Sequence, residues 1–286
     1  MIGARRCGKS STLVSMLSSL ESLDQNISVS FSDEQTKINL RRKQSEMKLI
    51  FSDESVKSGF WTDNGEDGSS SLDTYSIDIT IHQKLLIHVN CTDIPGEIIA
   101  NDMRKLQEVS QNCDAIIVAV DTPQLMENKQ KGILANYVND FTDFSQILVG
   151  ETKMRNKRII LVPLKCEKYV HECRMDEVVN RIKVVYSDFV RLWKEIGKSD
   201  CFITPVQTLG GLEFDHFERR KMGNGKSFDL AYYKYTGNKN YSPRNCEQPI
   251  LYAIDYAIHK VSWEHKTNWI LKSVKNTTKT LKRIFS

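Results

Sequence analysis

Apolar residues recur along this chain in three rhythms, and each predicts a different kind of element. Leu13, Met16, Leu17, Leu20 and Leu23 fall three or four apart, the spacing that lines one face of an α-helix. The stretch 24–71 is polar, carries several turn signals and ends in DNGEDGSSS. It predicts a long, mobile loop with a basic helix around Asn39 to Ile50. The rhythm then shortens to two. Tyr75, Ile77, Ile79 and Ile81 alternate with other residues, and beyond the short turn at 82–84 so do Leu85, Ile87, Val89 and Cys91, which predicts an antiparallel hairpin. Unbroken apolar runs supply the third rhythm: DAIIVAVD (114–121), RIILVPLK (158–165) and CFITPVQT (201–208) read as strands buried on both faces. Between them, Ile133, Tyr137, Phe141, Phe144 and Leu148 predict one helix, and Met175, Val178, Ile182, Val185, Phe189, Leu192 and Ile196 a second. Strands and helices in alternation predict an α/β fold with a doubly wound sheet, mostly parallel, with one antiparallel strand. Residues 209–248 interrupt the pattern with glycines and aromatics and predict an insertion with a short hairpin around Phe228 to Tyr235, before a helix resumes from Pro249 to His259. The expected organisation is one domain over 1–260, with insertions near 24–71 and 209–248, and a basic amphipathic helix over 261–286.

Composition narrows the class. A chain of 286 residues with 40% hydrophobic content can bury a sizeable core. It has no run of eighteen apolar residues and no basic, apolar leader, which predicts a cytoplasmic protein. Seven cysteines form no CxxC pair, which suits reduced thiols better than disulfides or zinc; Cys166, His171 and Cys173 lack a fourth ligand at a sensible spacing. The net charge of +4 is unevenly spread, because seven Lys or Arg between Lys260 and Ser286 face a single acid, Glu264. That excludes a protein-wide nucleic-acid surface and points to a localised basic tail. Trp263, Thr267, Ile270, Val274, Thr277, Leu281 and Phe285 line one face of that tail. Such a helix packs on its own domain or a protein partner, or lies peripherally on an anionic membrane.

The candidate chemistry begins at GARRCGKSS, residues 3–11. Gly3, four residues, then Gly8, Lys9 and Ser10 is the P-loop spacing, in which backbone N–H groups curl round a phosphate and the lysine reaches the outer phosphates. The Ser10 hydroxyl would take a place on Mg²⁺, and the helix that starts here points its positive end at the anion. After the hairpin comes TDIPGE (92–97). Asp93 would stand at the end of a strand beside the P-loop, where a carboxylate can hold Mg²⁺, and the N–H of Gly96 could approach a γ-phosphate. Only Met1 and Ile2 precede Gly3, so the first central strand is expected to be missing or truncated, by a chain start placed too far downstream.

In these motifs and their order the chain resembles the translation-factor-related (TRAFAC) class of P-loop GTPases, which contains the Ras-like proteins. Residues 3–10 match its first motif, 93–96 its third and 165–167 a degenerate fourth. More narrowly, GARRCGKSS, DIPGE, VPLKCEKY and TPVQTLGG are similar to the bacterial double-GTPase group, which implies a place in multi-protein conflict or stress systems. The resemblance implies a switch that binds GTP and GDP and hydrolyses GTP with Mg²⁺. Gly3, Arg6, Cys7, Gly8, Lys9, Ser10 and Ser11 would then cradle the phosphates, with Lys9 neutralising their charge, Ser10 and Asp93 holding the metal and Gly96 sensing the γ-phosphate.

Four departures qualify that transfer. The fourth motif usually reads Asn or Thr, Lys, any residue, Asp, whereas here it is Leu164, Lys165, Cys166, Glu167. Lys165 can still lie along the purine and Glu167 can offer two oxygens to guanine, with a longer arm that weakens the preference. Glu97 holds the place of a water-positioning glutamine and predicts slow hydrolysis. Arg5 and Arg6 replace small residues; one of them, Arg5 in the first instance, could act as an arginine finger in cis, worth ~10³ or more where it exists. The switch threonine is open between Thr62, Thr74 and a serine among 69–71. The rival reading is an interaction subunit with little or no hydrolysis. A P-loop kinase is disfavoured by the order of hairpin and Asp-x-x-Gly. Nucleic acid is not an expected specific partner; guanine nucleotide and unidentified proteins are.

Overall fold

The structure, a computed structural model, describes residues 1–4, 7–21, 27–52, 59–61, 72–81, 85–149, 151, 156–221, 227–235 and 240–265. The chain opens with β1 (Ile2–Gly3), α1 (Lys9–Glu21), β2 (Ile27–Phe31), α2 (Glu34–Ser52), β3 (Gly59–Trp61), β4 (Asp73–Ile81) and β5 (Leu85–Asp93). It continues with α3 (Gly96–Asn101), α4 (Met103–Gln111), β6 (Ala115–Asp121), α5 (Thr122–Glu127), α6 (Lys129–Ala135), α7 (Val138–Leu148) and β7 (Arg158–Leu164). Then come α8 (Glu167–His171), α9 (Met175–Val185), α10 (Ser187–Glu195), β8 (Asp200–Ile203), β9 (Leu212–Lys221), β10 (Ser227–Tyr235) and α11 (Gln248–His265).

Four strands form a parallel sheet in the order β1-β6-β7-β8. All seven residues of β7 are buried, as an unbroken apolar run requires of a strand covered on both faces. Its side chains divide by the two-residue period. Ile159 and Leu161 pack with Phe141, Phe189 and Trp193, while Ile160, Val162 and Leu164 pack with Leu13, Leu17, Ile250 and Ile254. Two cores thus sandwich one sheet.

The predicted hairpin is β4 and β5, paired antiparallel from Asp73↔Asp93 to Ile81↔Leu85, with β2 added outside β4. It joins the parallel sheet at one seam. The Met1 backbone nitrogen donates to Thr92 O, and Ile94 N donates to Met1 O at 3.0 Å, the alternation of a parallel pair. Seven strands therefore run β2-β4-β5-β1-β6-β7-β8, and only β4 opposes the rest. Of the two expectations for the first central strand, missing or truncated, the structure has a two-residue strand.

Several local expectations are corrected. The stretch read as a long mobile loop carries β2 and β3, and the basic helix expected around 39–50 is part of a longer one, the nineteen-residue α2. Leu40 and Met47 of α2 are buried against α1, so a tertiary contact holds a helix whose own apolar periodicity is weak. The helix expected through Ile133 to Leu148 breaks into α6 and α7 at Tyr137, whose φ is 52°. The one expected over 175–196 breaks at the buried Tyr186 into α9 and α10. The run 201–208 holds only the end of β8, and the second insertion forms a full hairpin of β9 and β10 rather than a short one. β3, from the first insertion, pairs with β10 through Tyr233↔Phe60, so the two insertions share one antiparallel sheet, β3-β10-β9. Among the described residues no helix is long and apolar enough to cross a membrane. The tail residues 266–286 lie outside the described residues, as do Arg5, Arg6, Thr62 and 69–71.

Candidate nucleotide site

The loop between β1 and α1 lies at the C-terminal end of the parallel strands, where open α/β sheets place their ligands. Gly3 is there for contact: a Cβ on it would stand 2.8 Å from both Cβ and O of Ala119 on β6. Gly8 is there for conformation, with φ at +102°. Its carbonyl accepts from Thr12 N at 2.9 Å and so starts α1. Lys9 is buried and folds back over its own loop, donating from Nζ to Gly3 O at 2.9 Å and Ala4 O at 2.8 Å. Cys7 is buried inside the turn, where burial raises its thiol pKa. Ser11, the next helical residue, accepts from Ser15 Oγ through its carbonyl.

Ser10 and Asp93 come together across 83 residues of sequence: Ser10 Oγ donates to Asp93 Oδ2 at 2.6 Å. Asp93 is 1% exposed, and its other oxygen, Oδ1, has no hydrogen-bond partner among the described residues. A buried carboxylate oxygen without a donor beside a serine hydroxyl is the hard oxygen set that a divalent cation such as Mg²⁺ satisfies. Beyond Asp93, Pro95 caps α3, which places Gly96 first and Glu97 second in that helix. Thr74 of the open switch assignment sits in β4 and shares a hydrogen bond with Thr92 at 3.2 Å.

On the far side of the loop, Lys165 follows β7 with φ at 59°. Its Cε lies 3.7 Å from where a Cβ on Gly8 would stand, and its Nζ donates to Asp121 Oδ2 at 2.6 Å. Burial alone would lower the lysine pKa, but the charge of Asp121, with Tyr233 and the direct bond, raises it overall. Glu167 is buried at the start of α8, and its Oε1 accepts from Leu209 N at 2.9 Å and Gly210 N at 3.1 Å. Burial raises its carboxyl pKa against the pull of those N–H groups. Gly210, at φ +74°, cannot carry a side chain, since a Cβ would meet Ser242 O at 1.8 Å. Burial also pushes the Cys166 thiol up to about 12.

The structure thus brings Gly3, Gly8, Lys9, Ser10 and Asp93 into one cluster and sets Lys165 beside it, while Glu167 is engaged with the 209–210 backbone. Sequence reading missed Asp121 at the end of β6, Asn136 at the end of α6, which binds the backbone of Asp121, and Tyr233, whose ring centre is 6.0 Å from Lys165 Nζ. The one signal for them was the acid that closes the apolar run DAIIVAVD.

A family model, Double-GTPase 2, matches residues 1–206, from the first strand through the turn that follows β8. Comparison with curated proteins finds no match, and comparison with solved structures finds none either.

Proposed function

Because this chain belongs to the Double-GTPase 2 family of P-loop GTPases, we propose that it is a switch that binds GTP and GDP and hydrolyses GTP. The observation that carries the reading is the cluster of Lys9, Ser10 and Asp93, closed by the 2.6 Å bond from Ser10 to Asp93 at the ligand end of the sheet. An ammonium has three donors, and two of those on Lys9 hold the loop's own carbonyls, which leaves one for a phosphate oxygen. Ser10 Oγ and Asp93 would hold Mg²⁺, which when bound neutralises charge on the phosphate oxygens. The Gly96 N–H, at the head of α3, reports the γ-phosphate. Lys165 lies along the purine, and Glu167, once a base competes for it, reads the guanine edge. Glu97 orients water while adding negative charge beside the phosphate, so turnover is slow. Arg5 or Arg6 supplies added positive charge in cis. The partners of such a switch are proteins of a multi-protein bacterial system in the cytoplasm, with the basic tail as a contact to protein or membrane.

Calorimetric titration of GTP, GDP and ATP with Mg²⁺, on the parent chain and on Lys9→Ala, tests the reading. Guanine nucleotides should bind the parent, ATP should bind weakly, and Lys9→Ala should abolish binding; no binding by the parent sinks the proposal. Glu97 favours a second reading, a nucleotide-binding subunit without turnover, and phosphate release by the parent under saturating GTP separates the two.

A further inference from the structure

The geometry points to Asp121 as the positioning residue of the base side of this site, acting through Lys165. The inference rests on the guanine-nucleotide reading above and concerns how that site is held. An Asn or Thr opening the fourth motif could hydrogen-bond to its surroundings, but Leu164 is fully buried and apolar. The next residue, Lys165, adopts a left-handed backbone that costs energy for any side chain with a Cβ. Something must fix both its backbone and its long stem.

The bond to Asp121 Oδ2 does so, at 2.6 Å, with the two side chains 17% and 11% exposed. Asp121 is itself held at three other atoms. Its Oδ1 accepts from Gln124 N at 3.1 Å, its N donates to Asn136 Oδ1 at 2.7 Å, and its O accepts from Asn136 Nδ2 at 3.2 Å. Asn136 is completely buried and also donates to Gly132 O at 2.9 Å. The chain Asn136, Asp121, Lys165 therefore ties an ammonium to the end of β6 and leaves the lysine stem running past Gly8. A free lysine stem has many rotamers, and ordering it would oppose binding. A held stem is a ready apolar shelf for a purine face. Asp121 touches neither nucleotide nor reacting atoms in this account, so it acts on affinity and not on the rate of chemistry.

Asp121 also caps α5, and that role can be separated because Asn caps a helix as well as Asp. The test uses Asp121→Asn, Lys165→Met and the double variant, with GDP and GTP affinities by calorimetry, turnover at saturating GTP and thermal melting. Asp121→Asn should weaken GDP and GTP alike by about tenfold or more, the scale of a lost charge-assisted bond. Turnover at saturation should stay within about twofold, since an interaction equal in ground and transition states leaves it unchanged. In the Lys165→Met background the same change should cost nothing further. Parent-like binding by Asp121→Asn overturns the inference, as does an equal loss in both backgrounds. If Asp121→Asn alone fails to fold, Lys165→Met against the double variant decides: equal affinities support it, a further loss or an unfolded double variant overturns it. A parent chain that binds no guanine nucleotide overturns the functional reading and takes this inference with it, whereas a binding parent with an indifferent Asp121 overturns this inference alone.

Discussion

Glu167 brings a carboxylate into the protein interior and satisfies one oxygen with two backbone N–H groups. Its raised pKa, caused first by burial, means that folding favours the neutral acid more than the unfolded chain does. The stability it contributes is therefore full below its ordinary value of 4.5 and declines as pH rises through the folded value. Glu167→Gln keeps an acceptor for Leu209 and Gly210 without the buried charge. Nucleotide-free Glu167→Gln should melt about 2–4 °C above the parent at pH 7.5, the shift expected of ~1 kcal/mol in a domain of this size. The gap should close towards pH 4.5; a melting point equal to the parent's at both pH values would contradict a buried charge. At Gly8, an alanine would have to adopt φ +102°, and Gly8→Ala should lose about 1–2 kcal/mol of stability in urea titration together with nucleotide binding. The glycines, Lys9 and Ser10 were legible in sequence because the P-loop is a local spacing. Asp121 and Lys165 were not legible as a pair, because 44 residues separate them and only the parallel register of β6 with β7 makes them neighbours.

Elements obey local pattern until a tertiary bond outbids it. The periodic residues from Ile133 to Leu148 are compatible with one helix, yet Asn136 turns its side-chain amide to the backbone of Asp121, and the chain breaks at Tyr137. The β4–β5 hairpin, β6, β7 and α1 were legible because their patterns are unambiguous, and the basic helix around 39–50 was legible as the middle of α2, whereas β2 and β3 were not, since short strands owe their place to partners. Gly132 shows how close the resulting packing is: a Cβ there would lie 1.9 Å from Gln124 O, a backbone atom of α5. Gly132→Ala should cost about 1–3 kcal/mol by forcing α5 and α6 apart, read as a lower denaturation midpoint with an unchanged slope. A midpoint equal to the parent's would mean that the two helices separate freely.

Across the whole molecule, two hydrophobic cores on opposite faces of one sheet make the phosphate loop part of the same body as its supports. A ligand that binds only the folded form should then stabilise all of it. At a thousandfold excess over Kd, GDP with Mg²⁺ should add ~4 kcal/mol, about 8–16 °C in melting temperature, and Lys9→Ala should show no shift. A rise confined to one of two separate melting steps would contradict a single body. The sheet shared by the two insertions has a further consequence. β9, in LEFDHFERRK, is thick with charge and suits an outer position, whereas β10, in SFDLAYYKY, is rich in aromatic side chains. The three residues of β3 cover the open flank of β10 opposite Tyr232 to Lys234. A variant lacking 59–61 would leave the aromatic-rich edge of β10 unpaired at Tyr232 to Lys234 and invite strand addition from a second copy, so it should self-associate more than the parent in light scattering, and equal scattering would contradict this. β3 is in this sense the second insertion's guard against aggregation, and shortening the protein safely means keeping β3 wherever the β9–β10 hairpin is kept.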